Sequence, residues 1–239
     1  MSPLPQATLD TSPAFAAEVL THLCTLLGQT PPRLSADATD GRVNSSKNED
    51  EIKQHLIIST RSNEKFRNEW GLELFLSPSR EWYDFSIKRF ADDWFVPVNI
   101  KVSEEHSADN LNCKLGLYYA LTGLMPDFTN AIAWPDFFEK LHAHLGAHDD
   151  KDYYFLCVNK RTPSSCFHAS LKTLQELTPN GNNLPFQCNW SKNREPLARN
   201  QAEATSFLLT TFWRSLLSRG SPALKFKELF PEFALTVGG

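Results

Sequence analysis

The stretch Trp94–Ser103, WFVPVNIKVS, decides how this chain is read. Its aromatic and β-branched residues mark a strand with a place in the core. Asn99 and Lys101 nevertheless stand two residues apart inside it. Residues i and i+2 of a strand project from one face, so the amide and the ammonium point the same way. A buried lysine is costly unless it is paired or used, so a partner or a function is expected. Upstream, EWYDFSIKRF (81–90) has the same character, and the turn-like Ala91–Asp93 separates the two. They read as a strand pair. In a hairpin, Asp84 near the start of the first strand comes close to Asn99 towards the end of the second. A carboxylate, an amide oxygen and an ammonium then converge. The plainer alternative is an Asp84–Lys101 ion pair in a half-exposed hairpin, with Asn99 bonding a turn.

The convergent arrangement has a chemistry. A carboxylate and a neutral oxygen suit Mg²⁺ and leave coordination positions for water and phosphate. A lysine beside them can hold or polarise an attacking water and offset charge at phosphorus. That is the layout of a metal-dependent phosphodiesterase.

Working outward, residues 12–28 read as a helix, with Ser12 as cap, Pro13 in the first turn and Gly28 at the end. Residues 29–50 are polar and carry Pro and Gly, which predicts a loop. Residues 49–76 are predicted largely helical, ending near Gly71. Residues 107–123 are predicted helical, opened by a Ser or Asp cap, and 134–146 form another helix. KDYYFLCVNK (151–160) is a continuous apolar run, the mark of a central strand covered on both faces. SSCFHASL (164–171) reads as a short strand, KTLQEL (172–177) as helical, PFQCNW (185–190) as a strand, and 200–220 as a long helix. The fold class expected is α/β (α+β), a mixed central β-sheet flanked by helices.

The totals bound the rest. A chain of 239 residues, 41% hydrophobic, suits one domain with a real core, or a domain plus a small subdomain. No apolar run approaches the roughly 20 residues that cross a membrane. The N-terminus has no basic segment followed by an apolar one, so a cytoplasmic location without a secretory signal is expected. The five cysteines are scattered with no CxxC pair, which predicts reduced thiols rather than a disulfide framework or a zinc knuckle. Residues 1–150 hold 13 Lys+Arg against 22 Asp+Glu, whereas 151–227 hold 11 against 4. A basic later part on an acidic body is compatible with an anion-binding face, or with an ordinary solvated surface.

The spacing D84-x14-N99-x-K101 resembles the PD-(D/E)XK nuclease motif of type II restriction endonucleases. Two departures stand in it: Tyr83 replaces the proline, and Asn99 replaces the acid before x-K. The resemblance implies a restriction-endonuclease-like core and catalysis by Asp84, Asn99 and Lys101, with Asp84 and Asn99 as ligands of Mg²⁺. Members of the family often add a glutamate from an earlier helix, and SNEKFRNEWG (62–71) offers Glu64 and Glu69, Glu64 being favoured. The implied activity is site-specific hydrolysis of double-stranded DNA to 5′-phosphate ends. A palindromic target implies a homodimer. The whole chain, 1–239, reads as one such domain, with a catalytic core at about 60–125.

A second segment, at about 180–200, has the composition of a base reader. Asn182, Asn183, Gln187, Asn189 and Asn193 lie among Lys192 and Arg194. Asn and Gln suit adenine, and Arg and Lys suit guanine or phosphate. The same residues also build turns. Two other readings stay open: a non-catalytic nucleic-acid-binding protein with a degenerate nuclease core, and a structure-specific repair nuclease of the same fold. His142, His144 and His148 lack an HExxH context and read as exposed histidines. Cys157, inside an apolar strand, reads as a buried structural thiol.

Overall fold

The computed structural model describes residues 10–35, 41–78, 81–106 and 108–229. The elements in chain order are α1 (Pro13–Gln29), α2 (Gly41–Arg61), a π-helical turn (Lys65–Glu69), β1 (Leu72–Leu76), β2 (Phe85–Arg89), β3 (Phe95–Ser103), β4 (Ala108–Leu111), α3 (Lys114–Thr122), α4 (Trp134–His144), β5 (Tyr154–Asn159), β6 (Cys166–Ser170), β7 (Thr178–Pro179), β8 (Phe186–Asn189) and α5 (Gln201–Leu229). The central sheet has the order β1-β2-β3-β5-β6, and a second sheet has the order β4-β8-β7. In the central sheet only the β3–β5 pair is parallel. The architecture is therefore a mixed sheet flanked by helices.

Side-chain alternation divides the core in two. On one face Val96, Val98 and Ile100 of β3 meet Val19, Leu20, Leu23 and Leu27 of α1 and Ile52 and Leu56 of α2. On the other, Tyr153, Phe155 and Cys157 meet Leu117 and Leu121 of α3, Phe137 of α4, and Leu208 and Phe212 of α5. The continuous apolar run at 153–158 is explained by this division, because Tyr154, Leu156 and Val158 belong to the first face. Side chains on both faces of a strand must then be apolar. α1 begins as expected, with Ser12 Oγ accepting the Phe15 amide and Pro13 in the first turn. α3 stops at Gly123, whose φ is +69° and where an added Cβ would lie 2.4 Å from that of His148.

Four local expectations are corrected. Residues 41–50 are the first half of α2 and not a loop; their polar composition hid a helix whose apolar stripe starts later, at Ile52 and Leu56. LELFL is strand β1 and not the end of a helix. Gly71 at φ +62° breaks the helical path, and Leu72 and Leu74 then alternate inward. Residues 108–111 form β4, and α3 starts only at Lys114. Asp109 is not a helix cap; its Oδ2 accepts the Trp190 indole N–H at 2.6 Å, and Oδ1 of the neighbouring Asn110 accepts the amides of Asn180 and Gln187. Ser107, the other cap considered, lies outside the described residues. KTLQEL shares only Lys172 and Thr173 with a single 3-10 turn, Leu171–Thr173, and forms no longer helix.

Candidate active site and nucleic-acid-facing segment

β2 and β3 are antiparallel, and Phe85 opposite Val98 is the last pair of their ladder. The Asp84 amide donates to the Val98 carbonyl at 2.9 Å. Beyond this point β2 has ended while β3 runs on to Ser103. The Ile100 amide, the next donor on that edge, finds Asp84 Oδ2 at 2.7 Å in place of a strand carbonyl. The segment before Asp84 is held by aromatic packing: Trp82 sits 4.9 Å from Tyr83, 5.4 Å from Tyr119 and 5.6 Å from Tyr153 between ring centroids. The Tyr153 hydroxyl also donates to the Trp82 carbonyl at 2.6 Å.

Because Val98 and Ile100 face α1 and α2, Asn99 and Lys101 project from the opposite face. Lys101 stands beside Cys157 on the parallel neighbour β5, and its charge bears on Asp84, Cys113, Cys157 and Cys188. Asn99 Oδ1 is buried and has no hydrogen-bond partner. Burial pushes the Asp84 carboxyl above its ordinary range, against the pull of the Ile100 amide and of Lys53 and Lys101, while Asp50 adds to the push. The carboxylate thus bonds the residue next to Asn99, and a small divalent cation is a partner suited to either oxygen. Among the described residues, no three His, Cys, Asp or Glu side chains gather into a larger metal-binding cluster. His144, considered earlier, sits with Nδ1 2.5 Å from the Tyr118 hydroxyl.

Two residues of α2, Asp50 and Lys53, bear on Asp84 without having been singled out in the sequence, and a third, Asn48, stands buried in the same helix. Lys53 is ion-paired with Asp50 at 2.6 Å and is only 18% exposed in its side chain. Asn48, one turn before Ile52, is fully buried, and neither atom of its amide has a partner. Asn48 fell in the stretch read as a loop, whereas Lys53 lay in the predicted helix; the usable signal for Asn48 is its i, i+4, i+8 spacing with Ile52 and Leu56. Glu64 precedes the π-helical turn and is exposed, and it is not among the charges that bear on Asp84.

The segment around 180–200 forms β8 and its flanks, next to the end of β3. Asn182 and Asn183 are exposed, and their backbone amides donate to Asn180 Oδ1 at 3.1 and 3.0 Å. The Gln187 amide reaches Asn110, and the Lys192 ammonium meets Glu176 at 2.8 Å. Asn189 Oδ1 accepts the Ser191 amide, and its Nδ2 donates to the His106 carbonyl. Asn193 is 2% exposed and bonds the backbone of Glu176 and Asn189, so its amide serves the fold. Arg194 forks onto Glu105 at 2.8 and 2.7 Å. Burial works against the Glu105 charge, but Asn159 and Arg194 outweigh it and hold the carboxyl below its ordinary range.

No family model and no curated protein matches the chain. Among the described residues, no helix is long and apolar enough to cross a membrane.

Proposed function

We propose that the protein is a Mg²⁺-dependent endonuclease that cuts double-stranded DNA at a short site, in the manner of type II restriction enzymes. One observation carries this reading: the desolvated Asp84 carboxylate bonds the Ile100 amide, which lies between Asn99, whose buried oxygen lacks a partner, and Lys101, whose charge bears on Asp84. The order of the sheet adds support. A three-strand antiparallel meander followed by a helical crossover into a parallel strand, β1-β2-β3-(α3, α4)-β5, is an arrangement compatible with the nuclease core the motif resembles.

In this reading Asp84 and Asn99 hold the cation. A bound Mg²⁺ would stabilise charge developing on the scissile phosphate and acidify a water. Lys101 orients that water and offsets the negative charge at phosphorus. In-line attack breaks the P–O3′ bond and leaves 3′-hydroxyl and 5′-phosphate ends. Asn182, Asn183, Gln187 and Lys192 face the duplex, while Asn189, Asn193 and Arg194 shape the platform beneath them. Two copies arranged about a two-fold axis suit a palindromic site.

The test is incubation of the purified protein with mixed plasmid and phage DNA, with Mg²⁺ or EDTA, beside Lys101→Ala. Discrete Mg²⁺-dependent fragments are expected, and the variant should be slower by roughly 10²–10⁴-fold. DNA retention without cleavage would favour the second reading, a non-catalytic DNA-binding protein. The observation on that side is the small acidic set around Asp84.

A further inference from the structure

Away from the strand site, α1 lies along the edge strand β6, and three contacts fix their register. Thr21 Oγ1 meets His168 Nε2 at 3.0 Å, Cys24 Sγ meets Cys166 Sγ at 3.2 Å, and a Cβ built on Gly28 would lie 3.5 Å from the Ser164 carbonyl oxygen. Each step of about one helical turn along α1 matches two residues back along β6, so the two sulfurs are held in contact by neighbours on both sides. Both thiols are partly exposed, whereas Cys113, Cys157 and Cys188 are buried. Cys24 and Cys166 also line a cavity of about 570 Å³, together with Ala17, Phe167, His168 and Pro196. That space admits a small reactant to the pair.

We propose that Cys24 and Cys166 form a redox-active dithiol that low-molecular-weight disulfides oxidise to an intramolecular disulfide through this cavity. The Cys166 thiol donates its hydrogen bond to the Cys24 sulfur, which makes Cys24 the attacking sulfur of the pair in this proposal. Contact with Cys24, together with burial, pushes the Cys166 thiol above its ordinary range, as suits the resolving partner. The Cys24 thiolate attacks one sulfur of the reagent disulfide and expels a thiolate, leaving a mixed disulfide. Cys166 then loses its proton, attacks Cys24 Sγ and expels the second thiolate. Two cysteine thiols are oxidised and one disulfide is reduced to two thiols. The bond requires the sulfurs to close from 3.2 Å to about 2.05 Å, a shift of roughly 1 Å.

The experiment incubates the full chain with oxidised glutathione and counts thiols after denaturation. Wild type should fall from five thiols to three, with a Cys24–Cys166 cross-linked peptide by mass spectrometry and full reversal by dithiothreitol. The linkage closes a long loop, so the melting temperature should rise by roughly 5–15 °C. Cys166→Ser should stop at one glutathionyl group on Cys24. Five thiols retained by wild type, a persistent wild-type adduct, or a bridge involving Cys113, Cys157 or Cys188 would overturn the proposal. The wild-type count decides it even if the variant does not fold. None of these outcomes depends on whether the protein cleaves DNA.

Discussion

Asp84 serves two ends with one carboxylate. It completes the hydrogen-bonding edge of β3 through the Ile100 amide, and it presents a desolvated carboxyl on which the charges of Lys53 and Lys101 bear. Its carboxyl is raised by burial, so the charged form is the disfavoured one in the fold. The sign follows from linkage. With the folded pKa above the unfolded one, the stability linked to the neutral form is present at low pH and is lost as pH rises through the folded value. Asp84→Asn keeps an oxygen for the Ile100 amide and removes the charge. At pH 7 it should melt at a higher temperature than wild type and lose cleavage by roughly 10³-fold or more, since a cation ligand is gone. Paired melting curves and cleavage assays check this; a variant that is both less stable and active would remove Asp84 from the site. Cleavage by wild type should decline on acidification from a pH above the usual carboxylate range.

The elements hold these residues in place through a few close approaches. α3 lies against β5 at Gly116, where an added Cβ would stand 2.6 Å from the Tyr153 ring. That ring supports Trp82 and hence the approach to Asp84. Gly116→Ala should therefore cost about 1–3 kcal/mol in denaturant unfolding and slow cleavage as well, because displacing Tyr153 disturbs the segment before β2. At this scale the sequence was legible where period and composition agreed: WFVPVNIKVS, the 151–160 run and the long helix from 201 stand where their patterns put them. It misled where polar residues serve the fold through side-chain bonds. Asp109 and Asn110 resemble a helix start but tie β4 to Trp190, Asn180 and Gln187. Asn189 and Asn193 resemble base readers but bond locally within the platform. The strand pair that carries Asp84 and Asn99 was readable, but its ladder ends at Phe85 and Val98, and Asp84 instead bonds the backbone of Val98 and Ile100. Asn48, Asp50 and Lys53 were not singled out, because the polar start of α2 hides all but the spacing of Asn48 with Ile52 and Leu56, and nothing local to them points towards Asp84.

At the scale of the whole molecule, one buried carboxyl sets a pH dependence of folding. Asp152 lies just before β5, 5% exposed, where it accepts bonds from the Ser170 hydroxyl and the Tyr153 amide and stands near Lys172. Burial outweighs those partners and raises its carboxyl to about 6. Stability linked to this group is present below about pH 4 and is lost as pH rises through 6, by about 3 kcal/mol in all. Urea unfolding at pH 4.5 and 7.5 should show a loss on raising the pH that is smaller by about this amount in Asp152→Asn, other groups adding their own dependence. An unchanged pH profile in the variant would show that Asp152 titrates normally. The divided core carries a further consequence. β5 gives alternate residues to the packing on both faces, so neither half of the protein can melt and leave that strand in place. Its amides would exchange with solvent only when the whole domain opens, making β5 the slowest clock in the molecule.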